Sequence, residues 1–99
     1  MEIGAMLNNE LSPPNTVDEA VNRLLIILSE PDCSVIASTQ EDELIEFHFC
    51  LGAAIRNAFG LYHPGSELLP DCGTGMHPDD ASQIIIRALW KRLQTGNDV

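Results

Sequence analysis

The chain has 99 residues, 44% of them apolar, and fifteen acids against five lysines and arginines, for a formal charge of −10. That length suits one domain able to bury its own core, and the longest unbroken apolar run, Leu24 to Leu28, is far too short to span a bilayer. The charge is lopsided, with ten acids and one base (Arg23) in residues 1–50 and five acids and four bases (Arg56, Arg87, Lys91, Arg92) in 51–99. A half that acidic repels nucleic-acid phosphate and anionic membrane and steers toward cationic partners, although the same excess also serves solubility.

Met1-Glu2-Ile3-Gly4 lacks the basic start and long apolar stretch of a secretory signal, so a cytoplasmic location is expected. Cys33, Cys50 and Cys72 are odd in number and contain no Cys-x-x-Cys spacing. They indicate neither a disulfide framework nor a zinc knuckle and are expected to be small buried hydrophobes.

Residues 1–15 end in Ser12-Pro13-Pro14-Asn15, which cannot continue a helix, and are expected to form an arm ahead of a single helical domain over 16–99. Ile3, Met6, Leu7 and Leu11 give that arm the pattern of a short amphipathic turn. Thr16-Val17-Asp18-Glu19 is a capping box. It opens a helix with Val17, Ala20, Val21, Leu24, Leu25 and Leu28 on its apolar face, widened by Ile26 and Ile27, and ending at Ser29 or Glu30 before Pro31. Pro31 at a first helical position predicts a short helix through Ala37 with Val35 and Ile36 inward.

Ser38-Thr39-Gln40-Glu41 reads as a second capping box. It predicts a long helix from Thr39 to Phe59 around which the molecule is organised, with Leu44, Phe47, His48, Leu51, Ala54, Ile55 and Phe59 on its buried face. Gly52 in its interior is expected to admit close passage of another helix, the alternative being room for a ligand, and Gly60 to end it in the left-handed conformation. The connection from Leu61 to His77 carries one helical turn, Ser66 to Leu69, and buried positions at Leu61, Tyr62, Leu68 and Leu69. His77-Pro78-Asp79-Asp80 opens the last helix, with Ala81, Ile84, Ile85, Ala88, Leu89, Trp90 and Leu93 inward and Gly96 at its exit. The sum is an all-α domain of about three main helices plus one or two short ones, without a sheet.

At His48, Leu51-Gly52, Ile55-Arg56-Asn57, Gly60-Leu61 and His77-Pro78-Asp79-Asp80 the chain resembles a family of small bacterial domains of unknown function. The family pattern runs His-Phe-x-Leu-Gly-x-x-Ile-Arg-Asn-x-x-Gly-Leu, then an aromatic, a variable loop and His-Pro-Asp-Asp-x-Ser. The likeness covers residues 41 to 93, with Tyr62 where that pattern often has tryptophan. It implies a shared fold and brings no chemistry with it.

His48, Arg56, Asn57, His77, Asp79 and Asp80 form the candidate polar cluster. As a structural device, Arg56 pairs with Asp79 or Asp80 and clamps two helices, His48 is a core histidine held by a carbonyl or carboxylate, and Asn57 bonds the backbone around Gly60. As a catalytic device, His48 and His77 act as acid and base in phosphodiester or phosphoryl chemistry while Arg56 holds an anion, but neither a nucleophile nor a phosphate cradle accompanies them. No catalytic residue and no cofactor is therefore assigned. His63, Asp71, Cys72, His77, Asp79 and Asp80 supply ligand atoms without the spacing of a common zinc site, so no metal is assigned either.

The leading expectation is an acidic cytoplasmic protein-binding module, immunity or antitoxin-like, that meets a basic toxin through Asp18, Glu19, Glu41, Asp42, Glu43 and Glu46, helped by Glu30. Nucleic acid and membrane are not expected partners. The wide apolar stripes of residues 17–28 and 81–93 make a homodimer the competing association.

Overall fold

A computed structural model of the protein describes residues 13–96, so the first twelve residues of the expected arm lie outside it. Pro14 is fully buried and belongs to the packed body. Five α-helices and one irregular helical segment follow: α1 (Val17–Ile27), α2 (Glu30–Ser38), a 3-10 stretch (Glu41–Phe47) running into a π turn (His48–Gly52), α3 (Ala53–Ala58), α4 (Leu68–Cys72) and α5 (Pro78–Gly96). No strand occurs among the described residues, and the domain is all-α.

The first helix starts where its capping signal puts it. Thr16 Oγ1 accepts from the Glu19 amide at 3.1 Å, and the Glu19 carboxylate reaches back to the Asn15 amide at 3.3 Å. The Asp71 carboxylate of α4 accepts from Val17 N–H at 2.8 Å, so a donor that the helix cannot satisfy internally is met from 54 residues away. Ala20, Val21, Leu24 and Leu28 are buried, whereas Ile26 is 84% exposed, so only one face of α1 is covered. The helix stops at Ile27, two or three residues before the expected end.

Ser29 caps α2 by accepting from Asp32 N–H at 3.3 Å, and Pro31 stands one residue inside the helix start. Ile36 is buried as expected, but Val35 is 53% exposed because a nine-residue helix turns only one narrow stripe inward. The second capping box does not form. Ser38 Oγ donates to Ser34 O (2.8 Å) and Thr39 Oγ1 to Val35 O (2.7 Å), closing α2 instead of opening the next element.

The expected continuous helix over 39–59 is therefore corrected to three windings in succession. The 3-10 start has no side-chain cap. It holds Leu44 and Phe47 three residues apart on one ridge, the spacing at which 3-10 side chains eclipse. The π turn that follows underwinds the backbone, and α winding resumes at Ala53. Gly60 takes φ +70° and Leu61 N–H bonds Arg56 O at 3.0 Å, a left-handed closure of α3 as expected.

The organising element is the last helix. It packs against α1, α2, the 3-10 stretch, the π turn, α3 and α4, and Ala81, Ser82, Ile85, Ile86 and Leu89 are buried along it. Ile84 and Ala88, placed inward by the sequence, are half-buried. Trp90 Nε1 donates to Thr39 O at 2.7 Å and Gln94 Nε2 to Ala37 O at 2.8 Å, which satisfies carbonyls at the end of α2. Leu61 and Leu68 plug the core from the connection, but Tyr62 is 57% exposed and is not the aromatic plug expected there.

Candidate functional site

Arg56 projects from α3 into the seam between the π turn and the start of α5, where it is 7% exposed. Its Nη1 donates to Ser82 Oγ at 3.0 Å and its Nη2 to His48 O at 3.3 Å. Its Nε lies 3.4 Å from Asp79 Oδ1, within ion-pair reach but without the alignment of a hydrogen bond. Ser82 Oγ in turn donates to Asp79 O at 2.9 Å. One guanidinium thus ties the backbone of the π turn to two side chains in the first turns of α5. It also occupies the His48 carbonyl, which in α winding would accept from Gly52 N–H, so the π turn and the arginine fit one another.

Gly52 has its reason here. A Cβ at that position would stand 3.0 Å from Arg56 Nη1, 3.4 Å from Phe47 O and 3.5 Å from Ser82 Oγ. The missing side chain makes room for a buried arginine of the same segment and for α5, not for a ligand.

His77 Nδ1 accepts from Asp79 N–H at 3.1 Å, which serves an open donor at the start of α5. An acceptor at Nδ1 puts the proton of the neutral ring on Nε2. The same nitrogen is 3.8 Å from Asp79 Oδ2. His48 is half-buried, its ring meets Phe49 edge-on with centroids 5.0 Å apart, and its Nδ1 has no hydrogen-bond partner. Among the described residues no hydrogen bond or ring contact joins the two imidazoles. The carbonyl or carboxylate partner expected for the His48 ring is absent there; the residue's own carbonyl is the bonded group.

Of the six cluster positions, the seam thus brings together Arg56, Asp79, His77 and the His48 backbone. Asp80 is exposed. Asn57 is exposed and bonds Ala53 O at 3.0 Å within its own helix, not the backbone around Gly60. The residue that the sequence reading did not select is Ser82, wholly buried and bonded to both Arg56 and Asp79. Its place three residues after Asp79, on the inner side of a helix, was the available signal.

Three of the possible metal-ligand side chains have other tasks. His63 Nδ1 accepts from Gly65 N–H, Asp71 from Val17 N–H and His77 from Asp79 N–H. Among the described residues no three His, Cys, Asp or Glu side chains converge on a point. Two cavities among the described residues also lie away from the cluster: an open groove of about 810 Å³ along Leu25, Leu28, Cys33, Ala37 and Leu93, and a smaller one of about 390 Å³ along Pro14, Phe59, His63 and Glu67.

The cysteines are not all interior. Cys50 is exposed and Cys33 and Cys72 are half-buried. Burial, and then the neighbouring Asp71 carboxylate, push the Cys72 thiol up to about 11. Burial, with Asp32 and Glu30, also raises that of Cys33. At pH 8 only about a thousandth of Cys72 is thiolate, so iodoacetamide under native conditions is expected to label Cys50 first and Cys72 last. Peptide mapping by mass spectrometry at successive times reads this order, and early labelling of Cys72 contradicts it.

All six acids placed on the partner surface are exposed. They sit on two elements, Asp18 and Glu19 in the first turn of α1 and the other four on the 3-10 stretch. Glu19 is engaged with Asn15, and Glu41 with Arg87 of α5 at 3.6 Å. Asp42, Glu43 and Glu46 make no ion pair or side-chain hydrogen bond among the described residues. Beside them Ile45 is 60% and Phe49 88% exposed, outside the apolar stripe read from the sequence.

No helix in the described residues is long and apolar enough to cross a membrane. No curated protein and no solved structure matches the chain. One family model does match, over residues 13–93, from Pro13 to Leu93 in α5, and so takes in all but the last turn of the body described above. The chain accordingly belongs to the family described as Domain of unknown function (DUF6794).

Proposed function

We propose that this domain is an acidic protein-binding module of the immunity or antitoxin type, acting in the bacterial cytoplasm by covering a basic surface of a partner protein. The observation that carries this reading is the exposed trio Asp42, Glu43 and Glu46, held on a short 3-10 stretch whose inner ridge is anchored by the buried Leu44. Carboxylates left unpaired on such a scaffold suit a site built to receive phosphate, because they present negative charge without reorganising. The Arg56 seam supports a binding role for the module as a whole, since its groups are committed to fixing the π turn against α5.

The test is titration calorimetry between the full chain and basic nuclease-type proteins encoded beside its gene. A complex is expected whose affinity falls as salt rises, and the Asp42→Lys/Glu46→Lys variant is expected to weaken it by at least about tenfold. Absence of binding to every such neighbour, or a complex indifferent to the charge reversal, overturns the proposal.

A further inference from the structure

We infer that Ile45 and Phe49 are the apolar anchors of this acidic surface, and that its partner is a cationic segment with an apolar stripe, such as a basic amphipathic helix. This rests on the proposed binding role and specifies what the surface takes. The winding of the segment supplies the geometry. Residues three apart eclipse in a 3-10 helix, so the stretch presents three ridges: Glu41, Leu44 and Phe47; Asp42 and Ile45; Glu43 and Glu46. The first ridge faces the body, with Leu44 2% exposed and Glu41 paired to Arg87. The other two stand outward, and each carries acids alongside or next to a bulky apolar side chain.

Phe49 follows at the beginning of the π turn, 88% exposed, with the His48 ring edge-on against it at 5.0 Å. That contact orients an aromatic ring which the core does not need. Large apolar groups this exposed, flanked by carboxylates, form the pattern of an interface centre with a charged rim. The charge decides between occupants. A second copy seated symmetrically on this face would bring two sets of Asp42, Glu43 and Glu46 against one another, whereas a basic apolar segment matches both features at once.

Two fluorescent synthetic peptides of equal length and charge, one of lysine and leucine and one of lysine and serine, test the inference by anisotropy against the full chain in about 0.15 M salt. The leucine peptide is expected to bind at least about tenfold more tightly. Ile45→Ala/Phe49→Ala is expected to erase that preference with the circular dichroism spectrum unchanged, while Ile26→Ala, at another highly exposed apolar site, on α1, leaves it intact. Equal affinity for the two peptides, or a loss caused equally by Ile26→Ala, overturns the inference. If Asp42→Lys/Glu46→Lys abolishes binding of both peptides and no leucine preference exists, the acidic binding role stands and the anchors fail. If a Phe49-dependent preference survives the charge reversal, the anchors stand and the electrostatic role fails. Sedimentation showing a dimer that Phe49→Ala dissolves makes the occupant a second copy and refutes a cationic partner.

Discussion

Replacing Arg56 with alanine is expected to lower the free energy of unfolding by about 3 kcal/mol, enough to shift the midpoint of thermal unfolding by roughly 12–24 °C in a domain of this size. Two contributions make up most of it. Charge-assisted bonds to Ser82 Oγ and to His48 O are lost, each worth about 1.5 kcal/mol or more when the groups left behind stay dry. The buried aliphatic stem also leaves a void at the centre of the seam. The ion pair with Asp79 adds little, because that carboxylate is 47% exposed and rehydrates once the arginine is gone.

Arg56→Met should be the milder change, since it fills the stem's volume and removes the cost of desolvating a guanidinium. Arg56→Lys should resemble alanine more than arginine, because a single ammonium cannot reach Ser82, His48 O and Asp79 together. Urea titrations followed by circular dichroism measure all three. An Arg56→Ala protein within about 0.5 kcal/mol of the parent, the range of an ordinary surface substitution, would show that the seam is not held by its arginine.

Gly52→Ala should reverse the usual sign. In an ordinary helix the change gains up to about 1 kcal/mol. Here the new methyl meets Arg56 Nη1 at 3.0 Å and Phe47 O at 3.4 Å. The guanidinium is pinned on three sides and the carbonyl is backbone, so neither yields without breaking a bond. Overpacking of this kind costs about 1–3 kcal/mol. The two predictions are coupled: placing methionine at 56 removes the closest of the contacts, so the cost of Gly52→Ala should shrink by more than about 0.5 kcal/mol in the Arg56→Met background. A stabilised Gly52→Ala protein would mean that the arginine moves freely and that the close approach is unimportant.

What the residues reveal unaided depends on how local the cause is. Thr16, Gly60 and Pro78 act within one turn of themselves, and the helix boundaries they announce lie where expected. The pairing of Arg56 with the start of α5 was one of the arrangements the residues offered, because an arginine near the end of one helix and an aspartate pair at the head of another can meet if those ends do. Choosing Asp79 over Asp80 was not legible, since one residue's rotation around a helix separates a contact from solvent.

The winding between Glu41 and Gly52 was illegible for a definite reason. Leu44 and Phe47 fall on one side whether the backbone winds as 3-10 or α, and Leu51 rejoins Leu44 under uniform α winding, so hydrophobic spacing alone spells one continuous α-helix. The hydroxyls that spelled a helix start, Ser38 and Thr39, are equally good at ending the preceding helix, and only the packed structure shows which carbonyls they choose. Ile45 and Phe49 lay outside the apolar stripe, which marked them as different without saying that they remain uncovered.

Every earlier element leans on the final helix, and this bears on how the molecule comes into being. During synthesis α1, α2 and the irregular segment emerge before the helix that every one of them packs against, and only smaller contacts join them to one another. The inner sides of Ala81, Ile85, Ile86 and Leu89, against which those elements bury their apolar faces, arrive only after Pro78. A chain stopped before that point lacks the central wall of its core, so truncation ahead of Pro78 is expected to remove cooperative unfolding rather than merely lower stability.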